Sequence, residues 1–87
     1  MYKRQIWTEV IKALGKIGDT RAIVYIIPVL KHEEAVYREL GANAIGEIGG
    51  EMAIKILTQA LKDERDEDVK ESIKKALRRS RQRKAEK

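Results

Sequence analysis

Eighty-seven residues make one small domain that buries about 60% of its unfolded surface, too little for an elaborate enclosed active site. The chain has no cysteine and a single histidine, which excludes disulfides, thiol catalysis, thiolate metal sites and multi-histidine clusters. The net charge of +5 is uneven: residues 1–62 carry 9 basic and 7 acidic groups, residues 63–71 carry 2 and 6, and residues 72–87 carry 8 and 1.

The first seven residues hold no hydrophobic signal core. The longest apolar run, nine residues from Ala22 to Leu30, falls well short of the ~18 needed to cross a membrane. A cytoplasmic protein with no membrane partner is expected. Asn occurs once and Gln three times, while Lys, Glu, Arg and Ile are plentiful. Such a balance suits a thermophile protein, in which charge networks replace thermolabile amides.

An internal repeat organises the chain. Ala13-Leu14-Gly15-Lys16-Ile17-Gly18 returns 31 residues later as Ala44-Ile45-Gly46-Glu47-Ile48-Gly49. Taking about 100° per residue, the first helix gathers Ile6, Val10, Ala13, Leu14 and Ile17 on one face. It ends at Gly18, which adopts a left-handed backbone cheaply. Asp19 then caps a second helix over 20–31, with Ala22, Ile23, Ile26 and Leu30 inward. Pro28 removes the bond to the Val24 carbonyl and predicts a kink near 24–28. The run Ile23-Val24-Tyr25-Ile26-Ile27 has strand propensity, but its repeat partner 54–61 is helical in pattern.

The second copy places Tyr37, Gly41, Ala44, Ile45 and Ile48 on its first helix. Gly49-Gly50 turns the chain into a helix over 51–62 that buries Ala53, Ile54, Leu57 and Leu61. Asp66-Glu67-Asp68 opens the last helix with negative charge at its positive pole. Val69, Ile73, Ala76 and Leu77 form its apolar face, one residue later than the strict repeat. Residues 1–80 thus form one domain, with repeats at about 5–34 and 35–65 and a half repeat at 66–79. A basic tail at 81–87 is expected to fray.

The phrase Ala-Leu-Gly-Lys-Ile-Gly-Asp-x-x-Ala-Ile at 13–23 resembles the HEAT-like repeat of the kind described in phycobilin lyases, and residues 5–79 match its pattern. The resemblance implies an all-α, right-handed solenoid of helical hairpins, here two and a half repeats and five helices. It implies scaffold, adaptor, lyase-subunit or nucleic-acid-clamp roles and brings no catalytic residue. The chain departs from the pattern where Val24 replaces a proline, where Trp7 replaces the basic residue kept as Arg38 and Lys70, and where the third repeat lacks its second helix.

Residue chemistry points away from catalysis. His32 beside Glu33 and Glu34 has no metal-ligand spacing and is expected in a solvated loop. The acidic run 63–68 lacks the glycine and spacing of a calcium loop and serves as a cap. Gly49-Gly50 is a turn rather than a phosphate loop. No nucleophile constellation is present, so no enzyme activity, metal or cofactor is expected.

Two surfaces remain. Trp7 and Ile11 widen the apolar arc of the first helix where the last helix has Lys70 and Lys74. A noncatalytic module binding another protein, or itself through its first helix, is the leading expectation. Trp7 alternatively folds over Met1 and Tyr2 as local core. The second surface is a basic strip of Lys70, Lys74, Lys75, Arg78, Arg79, Arg81, Arg83 and Lys84. It is suited to nonspecific nucleic-acid binding, without interleaved aromatics for base stacking.

Overall fold

The computed structural model describes the backbone of residues 2–85 and the side chains of residues 7–82. The 31-residue register becomes two layers. In one, α1 (Tyr2–Ile17), α3 (Ala35–Ile48) and α5 (Glu67–Ala85) lie side by side with α3 in the middle. In the other, the 20–31 segment and α4 (Glu51–Asp63) pack against α3, and α4 also packs against α5. The result is a slab of 39 × 28 × 16 Å, an all-α stack of helical hairpins.

Glycines set the spacing within the first layer. A Cβ on Gly46 would lie 2.8 Å from Ala76 Cβ and 2.9 Å from Ala76 Cα, closer than side chains tolerate. So α3 and α5 touch almost backbone to backbone. Gly15 holds the same register and faces Ala44 of α3. The turns use Gly49 at φ 71° and Gly18 at φ 72°, whose amides donate to the Ile45 and Leu14 carbonyls. Asp19 accepts from the Arg21 amide and caps the 20–31 segment. Asp66 accepts from the Asp68 and Val69 amides and caps α5.

The 20–31 segment is not one kinked helix. It divides into a 3-10 turn (Thr20–Ala22), a single α turn, α2 (Ile23–Ile26), and a second 3-10 turn (Ile27–Lys31). Pro28 has no N–H for the Val24 carbonyl, and the tighter 3-10 winding accommodates this without a sharp bend. Ala22, Ile23, Ile26 and Val29 are buried along it, and Leu30 packs against the core.

The inward faces of α3 and α5 are those expected. Tyr37, Gly41, Ala44, Ile45, Ile48, Val69, Ile73, Ala76 and Leu77 are all buried. On α1 the expectation is corrected. Ile11 is 2% exposed and Gly15 is buried, whereas Val10 is 49% and Ile17 72% exposed and Ala13 is on the surface. The apolar set of α1 copies the register of α3. Part of that register is buried in α3 only because α1 lies on it, and no described residue covers α1 in the same way.

The last helix continues to Ala85, and Ser80 is fully buried within it. The Arg, Gln, Lys and Ala beyond it are strong helix formers.

Candidate interaction surfaces

The expected Trp7–Ile11 edge divides: Ile11 is 2% exposed, whereas Trp7 is 37% exposed. Ile11 sits one turn before Gly15, inside the contact with α3. The Trp7 ring makes tilted contacts with His32 at 5.6 Å and Tyr37 at 5.4 Å, which lie 4.7 Å from each other. Trp7 thereby ties α1 to the loop between the repeats. His32 is half-buried and not a solvated loop residue, and its Nδ1 accepts from the Glu34 amide at 2.9 Å.

Arg38, in the register of Trp7, holds the second inter-repeat junction. Its Nε and Nη2 donate to the two carboxylate oxygens of Glu64 at 2.9 and 3.1 Å. Its Nη1 donates to the His32 and Glu33 carbonyls at 2.7 and 2.8 Å. Glu64 also accepts from the amides of Arg65 and Asp66. Burial pushes the Glu64 carboxyl upward, but the Arg38 hydrogen bonds and the two amides outweigh it and hold it below its ordinary value. Beside this node a groove of about 560 Å³ runs between the 20–31 segment and α4, floored by Ile27, Leu30, Ile56 and Ala60.

Exposed large apolar side chains occur on the 20–31 segment (Val24, Tyr25), on α3 (Val36), on α4 (Met52) and, as a register-related set, on the outer side of α1. Val10, Ala13 and Ile17 occupy the register of Gly41, Ala44 and Ile48 in α3, where Ile48 is only 3% exposed. Tyr25, 74% exposed, holds the register of Ile56, which packs against the core. The repeat offset was the signal that could have located this face, because it pairs each exposed residue with a buried counterpart.

The basic strip divides in two. Lys74, Arg78 and Arg81 are exposed, with Lys70 half-buried, along the end of the stack opposite α1, and Lys70 Nζ lies 3.2 Å from Glu67. Arg79 lies on a different side and lines a shallow depression with Lys12 and Lys16 of α1 and Glu47 of α3. Lys75 is one turn before it. The registers run Lys12–Asn43–Lys75 and Lys16–Glu47–Arg79 across the three helices. Sequence reasoning missed this row because its members are over 60 residues apart in the chain. The side chains of Arg83 and Lys84 lie outside the described residues.

Among the described residues no group of three His, Asp or Glu side chains is placed to hold a metal ion, and no helix is long and apolar enough to cross a membrane. No curated protein and no solved structure matches the chain. A family model described as HEAT repeats matches residues 7–78, which include both glycine-marked copies and most of α5. The match is to HEAT repeats as a class, and the chain belongs to the HEAT-repeat family.

Proposed function

We propose that the chain is a noncatalytic interaction module that binds protein through the outer side of α1. HEAT repeats commonly mediate protein interactions, and here one observation carries the reading. Val10, Ala13 and Ile17 are exposed in the register where Gly41, Ala44 and Ile48 are buried, Ala44 against Gly15 of α1 and Gly41 against Val29 and Leu30 of the 20–31 segment. A terminal repeat that does not need to bind presents a polar outer side. Photo-crosslinking tests this. A benzophenone side chain at Val10 or Ile17 should give adducts under native conditions, and one at the exposed Lys55 should not. Equal yields at all three positions, or none, would refute the reading.

A second reading, nonspecific nucleic-acid binding, is supported by the row that joins Lys12 and Lys16 to Arg79. A polyanion lying across α1, α3 and α5 would meet charge from both ends of the chain. Binding to generic duplex should then fall with salt at a logarithmic slope of roughly −0.9 per phosphate contact. Lys12→Ala should weaken it as much as Lys75→Ala. Loss from α5 variants alone would confine the contact to the α5 end, and no binding at low salt would dismiss it.

A further inference from the structure

We propose that the partner on the outer side of α1 is a second copy of this chain, with the two α1 helices antiparallel across a two-fold axis near Ala13. The inference rests on the protein-binding function proposed for that side and names its occupant.

The shape of the site is given by the molecule itself. Gly15 of α1 sits against Ala44 of α3, a small residue that lets two helices approach closely. Ala13 is the α1 counterpart of Ala44 and presents the same small, exposed centre. On the α1 wheel Ala13 has Val10 and Ile17 to one side and Glu9 and Lys16 to the other. An antiparallel two-fold through Ala13 sets Val10 of one copy against Ile17 of the next. It also sets Glu9 against Lys16, twice over. A parallel pairing would set the Val10–Ile17 edge of each copy against the Glu9–Lys16 edge of the other and leave the charges unpaired. Antiparallel helix dipoles favour the first arrangement as well.

The opposite end of the stack does not compete as occupant. At the positions where α1 and α3 use Ile11 and Gly15, or Ala42 and Gly46, for close packing, α5 has Lys74 and Arg78. Seating that end on the α1 of another copy would desolvate two cations against an apolar face. Assembly therefore closes at two copies and does not grow into a head-to-tail fibre. Among the described residues Glu9 pairs with Lys12, at 4.0 Å and well exposed, a weak contact that it can exchange for a partner's lysine.

The area sets the strength. An α1 of 16 residues is about 24 Å long, and a face two elements wide gives on the order of 500 Å² per copy, the lower bound for a specific interface. Interfaces this small belong with weak, transient association, so the equilibrium is sought from about 1 μM to about 1 mM.

Sedimentation over that range tests the proposal. Wild-type protein should shift from monomer to dimer. Glu9→Lys alone and Lys16→Glu alone should each weaken dimerisation by about tenfold or more, since the symmetry counts each like-charge contact twice. An equimolar mixture of the two variants should recover it, because one copy then brings lysine and the other glutamate to both contacts. Both side chains are exposed, so circular dichroism should show an unchanged fold. A wild type that stays monomeric, or a mixture no more associated than its parts, overturns the proposal. So does a dimer that both single variants leave unchanged. Crosslinks from Val10 to a different protein, with the chain itself monomeric, would keep the interaction-module reading and remove this one.

Discussion

The two ends of the stack are built on the same repeat and finished differently. At one end α1 keeps the apolar register of α3 at Val10, Ala13 and Ile17, which lie at the surface, and breaks it at Glu9, where α3 has Leu40. At the other end α5 keeps its inward face of Val69, Ile73, Ala76 and Leu77 but carries Lys74 and Arg78 in the close-packing register of Ala42 and Gly46. Changing two residues per helix is enough to convert a packing face into a solvated one. The contrast shows that in a repeat protein the identity of a surface is read against its copies, not against an average surface.

The largest effect should come from swapping one residue type between interior and end. Ile48→Ala should lose about 2–5 kcal/mol as a core cavity, while the register-equivalent Ile17→Ala should change monomer stability by less than about 0.5 kcal/mol. Urea unfolding of both at low protein concentration makes the comparison. Similar losses would mean that α1 is covered within the monomer.

The same logic applies to Trp7, Arg38 and Lys70, which share one register. Arg38→Ala should cost about 2–4 kcal/mol, because it strands the nearly buried Glu64 carboxylate. Trp7→Ala should lose about 1–2 kcal/mol of aromatic contact with His32 and Tyr37. Lys70→Ala should cost under about 0.5 kcal/mol, since its Glu67 partner is well exposed. A flat series would mean that Arg38 is not the junction.

Acid should act through the interior as well. The folded Glu64 carboxyl titrates below its ordinary value near 4.5, so the unfolded chain takes up its proton first as pH falls. The stabilisation is complete above about pH 4.5 and is lost as pH drops through the folded value. Asp19, lowered from 3.8 to about 2 by hydrogen bonds from the Arg21 side chain and amide, acts in the same direction. Its partner Arg21 is almost wholly exposed, so solvent screens the pair and it contributes less. Glu64→Gln should flatten the pH 3–5 limb of the stability profile relative to wild type.

The sharpest test of end identity is to undo the α5 finish. Lys74→Ala with Arg78→Gly restores the α3 pattern at a cost of about 1 kcal/mol in helix propensity. Sedimentation of this variant should show species larger than dimer, because its new end fits the outer side of α1 on the next copy. An unchanged distribution would mean that the cations are not what keeps that end free.

Much of the fold was legible because the repeat supplied it twice. The turn glycines, the caps at Asp19 and Asp66 and the inward faces of α3 and α5 all come from register and spacing. The inward side of α1 did not. A helix packed on several sides, such as α3, carries a wide apolar arc, and its copy inherits that arc whether or not every part has a neighbour. Periodicity therefore located the apolar centre of α1 at Val10 and Ile17, while the actual contact runs through Ile11 and Gly15. His32 was misplaced for a related reason, since ring contacts between a helix and a loop leave no trace in spacing. Pro28 announced a disturbance but not its form, because a bend and a 3-10 turn both accommodate a missing N–H.

Ser80 stands where the two full repeats have Ile17 and Ile48, and its buried hydroxyl finds no hydrogen-bond partner among the described residues. A desolvated oxygen in an isoleucine position is a built-in weakness. It places the least firmly seated turn of the slab near the end of α5, next to the cationic row. That turn can therefore peel away while α3 stays in place. The arginines and lysines around and beyond Ser80 would then have a reach greater than a rigid helix allows, and hydrogen exchange would register the opening at 78–82 well before the α3 amides exchange.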